Sequence, residues 1–311
     1  MKILVVANQK GGVSKSTACQ ILAPYSAAVC GLNTLIVDLD EQANLALRYI
    51  KMRKNETGEW LPERHPEADE ILKEDPDFVG YSAATDIIKY GIVYPYSTSH
   101  ELLTILPPHG GHIKEIASAS SNEQIQASLY NFFNLPEVQD MGWDLVIIDT
   151  PPSLGALTLS AIRASTHVLI PAILERKCME GLTGVLTKVN MENRKKPKSE
   201  KTEILGILPT QFQSQQPLHK KYFRTLENDP TFSDLLIRQP MCVRSDIKMM
   251  DEKVKSGTDI NPISPFDKRS FKAKNRRECE LWCKEIMDRM FGKEAVDAMI
   301  KTQSEVLTNA S

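Results

Sequence analysis

No stretch of the 311-residue chain approaches the roughly 20 consecutive apolar residues that a membrane-spanning helix needs. The opening run, Met1-Lys2-Ile3-Leu4-Val5-Val6-Ala7, is too short for a secretory leader and runs straight into glycines. A cytoplasmic protein is the resulting expectation. Cysteine is sparse: Cys19, Cys30, Cys178, Cys242, Cys279 and Cys283 have neither disulfide nor zinc spacing, so all six are expected as reduced thiols. Cys279 and Cys283 would share a helix face, which suits packing better than metal binding, because no second ligand pair stands nearby. Internal repeats are also missing, which excludes solenoid and propeller architectures. What remains is ordinary for a globular protein, with 41% apolar and 25% charged residues.

The net charge of −2 conceals a division. Residues 194–284 carry a net +8 and the rest of the chain −10. Such a basic segment fits a local patch for an anionic partner and fits a Lys-rich solvated surface equally well.

Lys2 to Ala7 is a continuous apolar run, the pattern of a parallel strand buried on both faces. A loop follows, then a helix from about Lys15 to Cys30 that Gly31 ends and Pro24 should kink. Thr34 to Asp38 is the next strand, completing a βαβ unit. Further strands are expected at Thr104 to Leu106, Leu145 to Asp149, His167 to Ile170 and Ile204 to Leu208. Helices are expected at Asn122 to Asn134, Leu154 to Ser165, Met179 to Met191 and Glu278 to Phe291. Alternating strands and helices predict an α/β fold with a doubly wound, mostly parallel sheet flanked by helices. Residues 51–80 hold nine acids, five bases and three prolines, which predicts a polar surface insertion. One domain over 1–291 is expected, with a basic region at about 238–277 and a helical tail at 292–311.

Three segments carry the chemistry. Asn8-Gln9-Lys10-Gly11-Gly12-Val13-Ser14-Lys15-Ser16-Thr17 lies between a buried strand and a helix, where backbone N–H groups and the helix N-terminus can hold phosphates. The glycines let the backbone wrap closely. Lys15 would neutralise the β- and γ-phosphates and Ser16 would ligate Mg²⁺. Asp38-Leu39-Asp40-Glu41-Gln42 ends the second strand, and carboxylates at such strand ends face the ligand crevice. Asp149 ends another apolar run ahead of Thr150-Pro151-Pro152-Ser153, which resembles a Walker B strand leading into a switch; that resemblance implies that Asp149 holds Mg²⁺ through water and that Thr150 and the prolines sense the γ-phosphate.

The first loop resembles the deviant Walker A motif, KGGxGK[ST], of the ParA family of P-loop partition ATPases in the ParA/MinD superfamily. Asn8-Gln9 ahead of Lys10, the DxDxQ pattern from Asp38, Leu154-Gly155-Ala156-Leu157 and Glu180-Gly181-Leu182 are similar to ParA in particular. The resemblance covers about residues 1–50 and 82–291. It implies that Lys10 is the signature lysine reaching a partner's nucleotide across an ATP-dependent homodimer. It implies a catalytic set of Lys10, Lys15 and Asp40, with Asp40 positioning the attacking water and as a further metal ligand. Nucleotide contacts would come from Lys10 to Thr17 (Gly11, Gly12, Val13, Ser14, Lys15 and Ser16 between them) and, near the adenine, from Pro209 and Thr210. The chain departs from the motif at Ser14, where the family has Gly. A left-handed backbone there would cost Ser on the order of 1 kcal/mol. Val243-Arg244-Ser245-Asp246 and Pro265 to Ser270 resemble family stretches that bind DNA without sequence preference, which implicates Arg244, Lys268 and Arg269, with Lys272, Lys274 and Arg276 beside them.

The implied function is partition. An ATP-bound dimer on nonspecific DNA hydrolyses ATP slowly, is stimulated by a ParB-like centromere-bound partner, and then releases the DNA. The cofactors are ATP and Mg²⁺, and the location is cytoplasmic and nucleoid-associated. The chain begins at the P-loop strand, so operator-specific autoregulation is not expected. Positioning of another cargo would show the same motifs. A MinD-like membrane role would need a basic amphipathic C-terminal helix, whereas the tail sets Lys293 and Lys301 against Glu294, Asp297 and Glu305. A nitrogenase iron protein relative would need a cluster-binding cysteine pair that Cys178 does not complete.

Overall fold

A computed structural model of the chain describes residues 1–118, 122–176, 178–244, 246–247, 266 and 271–309. Its strands are β1 (Lys2–Val6), β2 (Thr34–Asp38), β3 (Met52–Lys54), β4 (Trp60–Pro62), β5 (Tyr96–Ser97), β6 (Leu103–Leu106), β7 (Leu145–Asp149), β8 (His167–Ile173) and β9 (Glu203–Thr210). The helices before β8 are α1 (Lys15–Pro24), α2 (Ala68–Glu74), α3 (Asp86–Lys89), α4 (Gly110–Ser118), α5 (Glu123–Phe133), α6 (Pro136–Gln139) and α7 (Ala156–Ala164). After it come α8 (Cys178–Asn193), α9 (Pro217–Asn228), α10 (Ala273–Phe291) and α11 (Lys293–Asn309).

Seven strands form one sheet in the order β5-β6-β2-β7-β1-β8-β9, parallel except for β5 against β6. Alternate residues of β1 explain why both of its faces are apolar. Leu4 and Val6 pack with α1, α10 and Met290, whereas Ile3, Val5 and Ala7 pack with Leu129, Phe133, Ile162 and Val185 on the other side. A strand covered on both faces has no polar side to show, hence the unbroken apolar runs. From β1 the chain steps outward to β2 and β6, returns to β7 between β2 and β1, and then fills β8 and β9 on the far side. The loop after β1 therefore leaves the sheet where the direction of winding reverses, which is where open α/β sheets bind ligands.

Pro24 acts on the helix after β1. α1 ends at Pro24 and the chain continues as a π-helical turn over Tyr25–Val29. Proline has no N–H for the carbonyl four residues back. That carbonyl, on Gln20, instead accepts from the Tyr49 hydroxyl at 3.4 Å. The 51–80 segment contains the β3–β4 hairpin and α2, and Glu59 ties it to α4 through Lys114 at 2.9 Å. In the C-terminal part, Cys279 and Cys283 are buried on one side of α10, and Val296 of α11 is fully buried in the same core. Among the described residues no helix is long and apolar enough to cross a membrane.

Candidate nucleotide site

The site is assembled from three strand ends held level by register. Val6 of β1 and Asp38 of β2 both pair with Asp149 of β7. One row of the sheet thus sets the start of the glycine loop beside two carboxylates.

Asn8 fixes the exit from β1. Its side-chain N–H donates to the Pro171 carbonyl at 2.7 Å and its Oδ1 accepts from the Lys10 N–H at 3.0 Å. α8 approaches closely at Gly181, where a Cβ would lie 3.0 Å from Asn8 Oδ1 and press on that side chain. The loop then turns through two left-handed residues, Gly12 (φ 72°) and Ser14 (φ 64°). Its carbonyls are drawn outward to the end of β9. The Thr210 hydroxyl donates to Val13 O at 3.0 Å, and Gln211 Nε2 donates to Gly12 O at 2.7 Å. Among the described residues the N–H groups of Gly11 to Ser16 donate no hydrogen bond. Free amides at the N-terminus of a ten-residue helix form a cradle for an anion.

Ser14, the departure from the family motif, is held by a residue that carried no sequence signal. Gln211, itself left-handed at φ 50°, donates from Nε2 to Ser14 Oγ at 3.1 Å. A hydrogen bond of this kind contributes about 1 kcal/mol, comparable with the cost of a left-handed Ser. The two residues should therefore be energetically coupled. A double-mutant cycle between Ser14→Gly and Gln211→Ala, read in ATP affinity by calorimetry, should show a coupling of about 0.5–1.5 kcal/mol. Additive effects would mean that Gln211 does not offset the Ser14 backbone.

Lys15 is only 6% exposed. Burial lowers its pKa, opposed by the carboxylates of Asp149 and Asp40. Those carboxylates show the reverse. Burial raises both, and Lys15 pulls each back down. Neither oxygen of the fully buried Asp149 has a hydrogen-bond partner among the described residues, although the Ser16 hydroxyl lies close enough to favour its charged form. A buried carboxylate left open beside a hydroxyl is the oxygen donor set that a hydrated Mg²⁺ accepts. Thr150, fully buried, donates its hydroxyl to Val6 O at 2.9 Å.

Asp38, whose role the motif alone left unspecified, holds the loop that carries Asp40. Its two oxygens accept from the N–H groups of Asp40 at 3.0 Å and Ala46 at 2.9 Å. Asp40 in turn accepts from the Gln42 N–H at 3.1 Å and stays almost buried. Burial, followed by the nearby Asp149, drives the Asp38 pKa up.

Lys10 points out of this centre to Glu175, past the end of β8, at 2.9 Å. Both side chains are about half exposed, at 43% and 54%, so the pair is worth no more than about 1 kcal/mol. The residues implicated in DNA binding are less united. Arg244 is clamped by Glu278 through two bonds of 2.7 and 2.6 Å. Lys272 and Lys274 are exposed near the start of α10, and Arg276 reaches the Phe271 carbonyl. Lys268 and Arg269 lie outside the described residues.

The family model described as an AAA domain (AAA_31) matches residues 1–201. The sporulation initiation inhibitor protein Soj of Bacillus subtilis is 31% identical over 236 residues, 72% of this chain and 80% of its own length. The chromosome-partitioning ATPase Soj of Thermus thermophilus is 32% identical over 209 residues, 67% of this chain and 69% of that one. Among solved structures, Cyanothece McdA superimposes with a TM-score of 0.67 at 19% identity, covering 93% of this chain and 99% of that one, a likeness of fold. Sequence match, sheet order and the glycine loop agree: the chain belongs to the ParA family of deviant Walker A P-loop ATPases.

Proposed function

We propose that the protein is a DNA-partition ATPase whose ATP-bound dimer holds nonspecific DNA until a ParB-like adaptor stimulates hydrolysis. The observation that carries this reading is the cradle of free amides from Gly11 to Ser16 closed by Lys15, Asp40 and Asp149. In it the loop amides and the Lys15 ammonium bind the triphosphate and orient its terminal phosphate. Asp40, steadied from behind by Asp38, positions the attacking water. Ser16 and, through water, Asp149 would hold Mg²⁺, which supplies charge neutralisation on the phosphate oxygens. Thr210, whose hydroxyl donates to Val13 O, and Pro209 before it would contact the base.

Lys10 supplies the dimer switch. Its weak bond to Glu175 leaves the ammonium free to exchange one surface carboxylate for a partner's phosphates. DNA affinity then follows nucleotide state, because only the closed dimer joins two basic surfaces. The same cycle would place the protein in the cytoplasm on nucleoid DNA. The relatives named Soj, one of them a chromosome-partitioning ATPase, favour DNA as the cargo.

DNA binding measured with ATP, with ADP and without nucleotide tests the cycle. Duplex should bind with ATP alone. Lys10→Ala should still take up ATP but remain monomeric in sedimentation and leave the duplex free. Equal DNA affinity in all three nucleotide conditions would contradict the switch.

A further inference from the structure

Three cations of the basic segment share one face of a helix that no motif marked, and among the described residues no carboxylate pairs with them. α9 is amphipathic in an unusual sense, with cations on one side and core on the other. Lys220, Arg224 and Lys221 fall within about 100° of arc around the helix axis. With Pro217, Thr225 and Asn228 they line an open groove of about 760 Å³ that ends at Asp229 and Pro230. His219 and Leu226 face the opposite way and are buried, which fixes the basic side outward. Lys220, Lys221 and Arg224 are exposed, and among the described residues none is ion-paired. The neighbouring arginines differ. Arg238 is paired with Glu227, Arg244 with Glu278 and Arg289 with Glu285.

We propose that this face of α9 is the surface that takes the DNA backbone, and that the nucleotide loop sets its position through residues 210–219. The placement rests on the partition reading above. Three cations within about one helical turn match a polyanion that presents a charge every ~1.7 Å of duplex axis. The face bears no aromatic side chain for stacking unpaired bases; Tyr222 and Phe223 turn partly inward against the core. This favours duplex over single strands. A membrane-surface helix would direct its apolar side outward, whereas here Leu226, Tyr222 and Phe223 turn to the core and only Leu218 is left as a large exposed apolar side chain on α9.

The link to the nucleotide is continuous. Thr210 and Gln211 grip the carbonyls of Val13 and Gly12. Next in the chain, the Phe212 ring packs against His219 at 5.8 Å and Phe223 at 5.7 Å. The Gln213 N–H then donates to His219 Nδ1 at 3.0 Å. A shift of the loop on binding phosphates therefore acts on α9 through a few packed residues.

The test is fluorescence anisotropy of a random-sequence duplex with Mg-ATP over a salt titration, on wild type and the K220A/K221A/R224A variant. Wild type should bind. The variant should bind at least about tenfold more weakly, with a log–log salt slope smaller by about 2–3, while its ATP uptake and hydrolysis match wild type. Gln211→Ala should narrow the ratio between DNA affinities with and without ATP. Wild-type affinity and salt slope in the triple variant would overturn the placement and leave the partition reading standing. A wild-type protein that binds no duplex with ATP would overturn that reading, and the placement with it. Loss of binding to anionic phospholipid vesicles in the triple variant, with duplex binding unchanged, would assign the face to a membrane instead and overturn the proposal.

Discussion

Lys15→Ala should lose Mg-ATP uptake by a factor of about 10²–10⁴. Hydrogen bonds to charged groups contribute about 1.5–3 kcal/mol each, and an ammonium reaching two phosphates makes two of them. The structure adds a second reason. Lys15 is buried and shares its surroundings with Asp149 and Asp40, so its ammonium is their counter-charge. Without it those carboxylates would be held more strongly in their protonated forms, and the oxygens proposed for the metal would be blocked. Isothermal calorimetry of the variant should show no binding heat at ATP concentrations that saturate wild type. Retention of wild-type affinity would remove the loop from its proposed role.

Asp40→Ala should separate binding from turnover. The Asp40 carboxyl is held by the Gln42 N–H, and its own backbone N–H is held by Asp38, so its position is set by two layers of hydrogen bonds. A positioned base of this kind contributes about 10²–10⁴ to a rate. Phosphate release should therefore fall by at least about a hundredfold, while calorimetry returns nearly the wild-type affinity for ATP. Asp38→Asn keeps one acceptor for the two N–H groups it serves and should reduce turnover less, by loosening the loop rather than removing the base. An Asp40→Ala protein that hydrolyses ATP at the wild-type rate would refute the assignment.

Both predictions begin from segments legible in the chain. The glycine loop, the Asp38–Asp40 pair and Asp149 each end an apolar run, and strand-to-loop boundaries are local. The helix over Glu278 to Phe291 was legible for the same reason, through its 3.6-residue period. It proves longer at its start, running from Ala273. α9 is harder to read because it spans twelve residues against the nineteen of α10 and so repeats its period fewer times, although Pro217 at its first turn is a usable signal.

By itself the sequence determined the succession of the six parallel strands, the glycine loop, and the family to which the chain belongs. These depend on contiguous residues and on the spacing that buries a strand on both faces. Only tertiary structure decided which groups are free to act. Gln211 meets Ser14 across 197 residues, and Lys10 meets Glu175 across 165. Arg244 is neutralised by Glu278 while Lys220, Lys221 and Arg224 keep their charge. Charge and strain are sums over neighbours in space, and a linear chain does not show which distant residue will stand within hydrogen-bond reach.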